Sequence, residues 1–154
     1  MKKNISPFLE EDLDKDLGFL MLRVSHLWEA SHEKALTNYT IKHIDFTILA
    51  SVYWLNLHNT SDVTQIMLSK HTKIPPMTVS QTLKSLEYKG YLSRTVSASD
   101  LRAKSCVLTQ TGTELVQKAF TSVIVADTRF FSPLTGVHRK NFNKYMVELF
   151  HGNE

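Results

Sequence analysis

The chain has 154 residues, 42% of them apolar and 21% charged, which fits one globular domain with a sizeable core and excludes a disordered chain. Five glycines and four prolines are too few for an all-β fold, and a single cysteine, Cys106, excludes an internal disulfide framework and fits a reducing cytoplasm. The net charge of +3 is unevenly spread: residues 70–104 hold 7 Lys or Arg against 2 Asp or Glu, a local +5, while residues 1–33 are acidic.

The chain opens with Lys2 and Lys3 but has no apolar run behind them, so no secretory signal is expected there. Leu13, Leu17, Leu20, Met21, Val24, Leu27 and Trp28 then recur at three- and four-residue steps. This spacing predicts an amphipathic helix from about Asp12 to Leu36, long enough to pack against another chain. Residues 43–59, "HIDFTILASVYWLNLHN", are apolar nearly all round and predict a buried helix. Their apolar core, Ile48 to Leu57, is too short to span a membrane. "DVTQIMLSKHT" reads as a short helix capped by Asp62, with Gln65 completing a capping box and Ile66 and Val63 facing inward.

The clearest boundaries lie in "KIPPMTVSQTLKSLEYKG". Pro76 suits the first position of a helix, and the residue before a proline is pushed to extended geometry. Val79, Leu83 and Leu86 form the buried stripe, and Gly90 ends the helix as a left-handed residue. Two strand-like runs follow, "YLSRTV" and "KSCVLT", joined by "SASDLRA". Thr109 is placed to cap the next helix, which carries Leu115, Ala119, Val123, Ala126 and Phe130. Pro133 ends it, and Thr135 starts a last helix through Phe142, Tyr145, Met146 and Leu149.

A short helix, a tight turn, a second helix and a β-ribbon make a winged helix-turn-helix. The fold class expected is therefore mainly α with a small two-stranded β-wing. In such a motif the second helix enters the major groove of DNA. Outside its buried stripe, that helix offers Pro76, Met77, Thr78, Ser80, Gln81, Lys84 and Ser85. Gln81 suits a bidentate contact with adenine, Met77 or Pro76 a thymine methyl, and Thr78 and Ser80 phosphate or base edges. Lys84 suits phosphate. The plainer reading, a solvated polar helix, is outweighed by the +5 segment around it. Arg94 and Lys104 extend the basic surface along the ribbon. Arg102, near its tip, is placed to enter the minor groove, where the negative potential is concentrated. Asp100 would repel phosphate, so its expected role is to hold Arg102 or a tip amide.

These residues resemble the MarR-type transcriptional regulators. "DLRAKSCVLTQTG" matches that family's D-x-R-x-x-x-x-x-L-T-x-x-G signature at Asp100, Arg102, Leu108, Thr109 and Gly112. "PPMTVSQTLKSLEYKGYL" resembles its recognition helix and the exit at Leu86, Glu87 and Gly90. The resemblance runs from about Leu13 to Leu149. It implies one domain over 1–154, with a DNA-binding lobe over about 43–109 and dimerisation helices over about 11–36 and 110–150. It also implies a cytoplasmic homodimer, most often a repressor, that binds double-stranded DNA through a near-palindrome. His71 and Thr72 depart from the family, which usually has an apolar residue and often has Gly at these places.

Many such regulators release DNA when a small, often aromatic, anion binds. Candidate contacts here are Arg23, Trp28, His32, Tyr39, Phe46 and Trp54. For the aromatic ones, packing in the core or between protomers is the plainer reading, and for Arg23 it is solvation or an ion pair. No Cys/His cluster has metal-ligand spacing, and no cofactor is expected. No nucleophile elbow, P-loop, GxGxxG or HExxH occurs, so enzymatic activity is not expected. The other function class that fits the pattern is a winged-helix protein-interaction module, an antirepressor or adaptor, which would present a neutral recognition surface.

Overall fold

A computed structural model describes residues 15–58, 61–97 and 102–154. They form α1 (Leu17–Leu36), α2 (His43–His58), α3 (Gln65–Thr72), α4 (Pro76–Tyr88), β1 (Leu92–Val96), β2 (Lys104–Leu108), α5 (Gln110–Phe130) and α6 (Gly136–Gly152). This is the expected order of helices around one antiparallel pair, with Leu92 opposite Leu108 and Val96 opposite Lys104. Two compact units can be distinguished: residues 33–125, and the two ends of the chain, up to His32 and from Ala126.

The 33–125 unit is built on α2. Ile48, Leu49, Val52 and Leu55 are buried, and they join Val63, Leu68, Val79, Leu83, Leu86, Leu92, Cys106 and Val116 in one core. Each fully buried aliphatic side chain contributes on the order of 1.5–3 kcal/mol. The stripe expected in α4 is the one found: Val79, Leu83 and Leu86 are fully buried at four- and three-residue spacing. A second cluster gathers Leu36, Ile41, Phe46, Ala119 and Val123. His71 finds apolar-type packing by stacking on Trp54, with ring centroids 5.3 Å apart.

The expected start of α3 is corrected. Thr64, in extended geometry, is the N-cap and accepts a hydrogen bond from the Met67 N–H at 3.3 Å. Asp62 and Val63 precede the helix, because the Val63 carbonyl is engaged by the Cys106 N–H of β2 at 2.7 Å. Gln65 does not reach back to a cap; its amide donates to the Pro76 carbonyl at 3.2 Å. Ile66 is 65% exposed rather than inward, and Leu68 is the buried residue of α3.

The two stretches that carry the family resemblance dock on each other. Gly90, left-handed at φ 76°, ends α4, and the Tyr91 N–H reaches back to the Leu86 carbonyl at 3.0 Å. Thr109 then does two things. Its hydroxyl donates to the Gly90 carbonyl at 2.7 Å and accepts the Gly112 N–H at 3.0 Å, capping α5 as expected. The Tyr91 carbonyl lies so close to α5 that a Cβ on Gly112 would stand 1.8 Å from its oxygen. Only glycine fits there.

In the terminal unit, Asp127 Oδ1 accepts from the Trp28 indole at 2.7 Å and pairs with His32 Nε2 at 2.8 Å. The apolar stripe of α1 is largely uncovered: Leu17, Met21 and Leu27 are more than half exposed. α6 buries no residue at all, although it carries Val137, Phe142, Tyr145, Met146 and Leu149. Thr135 stands at its N-cap position without a capping side-chain bond.

Candidate nucleic-acid interface

The turn between α3 and α4 is tied at several points. The Ser69 hydroxyl donates to the Ile74 carbonyl at 2.7 Å, and the Ile74 N–H to the Thr72 hydroxyl at 3.3 Å. Lys73 makes the bend in left-handed geometry, φ 60°. Thr72 therefore stands beside the left-handed residue, not at it, which is why this position needs no glycine. Pro76 opens α4 at its first turn, as the sequence predicts.

Beyond its buried stripe, α4 presents Pro76, Met77, Thr78, Gln81, Lys84 and Ser85 to solvent, with Ser80 half-buried. These are the side chains expected to read DNA, and they share the face opposite the core. Arg102 and Lys104 are exposed on the wing. Together with Thr64, Gln65, Leu83 and Arg94 they line a cleft of about 360 Å³ between the start of α3, α4 and the wing. The cleft gathers Arg94, Arg102 and Lys104 on one concave surface, where field lines concentrate, and α4 borders it through Leu83.

Arg94 is placed differently from the expectation. Its Nε donates to Glu87 Oε2 at 2.9 Å and its Nη2 makes a second bond to the same oxygen, and the side chain is only 12% exposed. Arg94 is thereby committed to strapping β1 onto α4, because a guanidinium held by a carboxylate has fewer donors to offer phosphate. The Arg94 hydrogen bonds, then the charges of Arg94 and Lys104, hold the Glu87 carboxyl below the usual glutamate range against the opposing effect of burial. Lys89 is committed too: its Nζ lies 3.2 Å from Asp45 Oδ2. Asp100 lies outside the described residues. Cys106, on the floor of the cleft, is fully buried, and that burial pushes its thiol up to about 11.

Each candidate effector residue has neighbours within its own unit. Trp28 and His32 converge on Asp127, while the Arg23 guanidinium lies 5.6 Å from the Phe19 ring centroid. The Tyr39 hydroxyl donates to the Lys118 carbonyl at 3.1 Å and also meets the Ser122 hydroxyl, and Phe46 is 6% exposed against Phe120. Trp54, 48% exposed, lines an apolar groove of about 320 Å³ with Tyr53, Leu57, Val116 and Phe120. Among the described residues no group of three His, Cys, Asp or Glu side chains could hold a metal ion, and no helix is long and apolar enough to cross a membrane.

Sequence reading missed the residues that position the wing: Asp62, Ser97, Ser105 and Glu87. Ser105 lies opposite Thr95, and Ser97 follows β1 two residues nearer the tip, so the two hydroxyls are not a register pair. Their common partner is 35 residues upstream of Ser97, so no local pattern reveals it.

A family model described as "ArnR1-like, winged-helix domain" matches residues 37–125. The chain is 30% identical over 132 residues to an uncharacterized HTH-type transcriptional regulator, YdcH of Bacillus subtilis (strain 168), covering 86% of this chain and 88% of that one. Its fold is shared with a mutant MarR from E. coli complexed with operator DNA, at TM-score 0.78 and 19% identity over 86% of this chain and 92% of the other. It is shared too with CouR from Rhodococcus jostii RHA1 bound to p-coumaroyl-CoA, at TM-score 0.76 and 23% identity over 90% and 94% of the two chains.

Proposed function

Because the chain belongs to the ArnR1-like winged-helix family and shares its fold with MarR, we propose that it works as a MarR-type transcriptional regulator, a homodimeric repressor that binds double-stranded DNA. One observation carries this reading: the exposed face of α4, with Met77, Thr78, Gln81 and Lys84, lies beside a cleft whose wall holds Arg102 and Lys104. Gln81 reads a base edge in the major groove, Lys84 and Lys104 meet phosphate, and Arg102 enters the minor groove. The operator complex of MarR supports this assignment. The uncovered apolar faces of α1 and α6 support pairing with a second copy, since contiguous exposed apolar surface marks an interaction site. A two-fold dimer then reads a near-palindrome with half-sites about 10–10.5 bp apart.

The test is selection of duplexes from a randomised library, followed by affinity measurement across salt. Phosphate contact makes log K fall steeply with log salt. Arg102→Ala weakens binding to duplexes with an A·T-rich flank and lowers the salt slope by about 1, whereas Gln81→Ala relaxes sequence preference. Salt-independent binding, or an Arg102→Ala protein with unchanged affinity, overturns the assignment.

For the effector, the groove beside Trp54 is the site we favour. Its aromatic and aliphatic lining suits a flat apolar ligand, and CouR binds p-coumaroyl-CoA. A ligand of this class shifts the emission of Trp54, and Trp54→Leu removes that response. A ligand that releases DNA with no change in Trp54 emission places the effector elsewhere.

A further inference from the structure

The wing is gripped at its root by one carboxylate. Ser97 follows β1, and its N–H donates to the Ala103 carbonyl at 3.0 Å, one rung beyond the last strand pair, Val96 and Lys104. Arg102 lies immediately past that rung. At this point Asp62 Oδ2 accepts the Ser97 hydroxyl at 2.6 Å, and Oδ1 accepts the Ser105 hydroxyl at 3.3 Å. Ser97 and Ser105 are 1% and 7% exposed. The residues after Asp62 continue the grip. The Val63 carbonyl takes the Cys106 N–H, and Thr64 bridges to Ser105 in antiparallel fashion. Residues 62–64 thus lie along β2 as a short third edge.

We propose that Asp62 is a positioning residue for DNA binding: it clasps both sides of the wing where the tip begins and sets the direction in which Arg102 leaves the body. This rests on the DNA reading above. Thr64, not Asp62, is the N-cap of α3. Each of its oxygens serves a different side of the ribbon, so twisting the wing breaks at least one bond. A carboxylate acceptor makes these bonds stronger than neutral ones. Without it, two buried hydroxyls lose this charged acceptor.

The experiment is a double-mutant cycle on the full chain, using a duplex that the wild-type protein has selected from a randomised library. Affinity is read by fluorescence anisotropy from low to physiological KCl for the wild type, Asp62→Ala, Arg102→Ala and the double variant. Asp62→Ala is expected to weaken binding ~10-fold and to lower the salt slope by about 1, as loss of one phosphate-side contact does. In the Arg102→Ala background the same change costs less than about threefold, because coupled residues are not additive. Asp62→Asn, whose amide can accept one hydroxyl and donate to the other, recovers most of the affinity. Full multiplicativity of the two losses, or an unchanged salt slope in Asp62→Ala, overturns the proposal, since a purely structural residue would act independently of Arg102. Should Asp62→Ala fail to fold by circular dichroism, Ser97→Ala with Ser105→Ala removes the same contacts from the donor side and is judged by the same cycle. A wild-type protein that selects no duplex defeats the DNA reading, and this inference with it.

Discussion

Glu87 carries out its work at the back of α4, where its carboxylate takes two bonds from Arg94. The Arg94 hydrogen bonds hold its folded-state pKa below the ordinary glutamate value, so the pair stabilises the fold above that ordinary value and loses its effect as pH falls through the lowered one. Glu87→Gln is therefore expected to destabilise at pH 7, with the difference from wild type vanishing in acid, once pH has fallen through the lowered value. Glu87 is 37% exposed, so the effect is about 1 kcal/mol or less. Thermal unfolding of both proteins across pH checks it, and a pH-independent difference would contradict it. Arg94 illustrates what a linear sequence conceals. Its charge is legible and its partner is not, because strand β1 must first fold back on α4 before the two meet.

The α4–β1 corner and the first turn of α5 behave as one joint. Tyr91 presents its carbonyl to α5, Thr109 latches the Gly90 carbonyl, and Gly112 leaves the space for both. Gly112→Ala forces a Cβ against a backbone atom that has no rotamer to yield, at a cost of about 3 kcal/mol or more. A large drop in the unfolding midpoint is the expected outcome, and an unchanged midpoint would disprove the joint. The elements themselves were readable because their signals are local: the Pro76 start, the Gly90 stop, the stripe of Val79, Leu83 and Leu86, and the Thr109 cap. The start of α3 was not readable in the same way. Asp62 and Thr64 are both good capping residues, and the choice between them is made by β2, which holds Val63 in an extended segment. Ile66, expected to face inward, faces out, and Leu68 takes the buried position of α3.

At the scale of the molecule, α1 and α6 leave apolar side chains exposed among the described residues, with Leu27 64% and Leu149 57% exposed. If these faces join two copies, Leu27→Glu yields a monomer in sedimentation velocity while the 33–125 unit keeps its fold. DNA affinity then falls ~100-fold or more, because the second half-site is no longer delivered at high effective concentration. A dimer that persists would move the interface elsewhere. The core of residues 33–125 has a practical consequence of another kind. The chain contains a single cysteine, Cys106, and it is fully buried with its thiol pushed up to about 11, so at neutral pH it stays a closed, unreactive sulfhydryl. The native protein is in effect already a cysteine-less background. A thiol introduced on the exposed side of the wing, as in Thr95→Cys, would be the one that maleimide dyes find. The tip's approach to DNA could then be followed by a single fluorophore, with no endogenous residue to remove first.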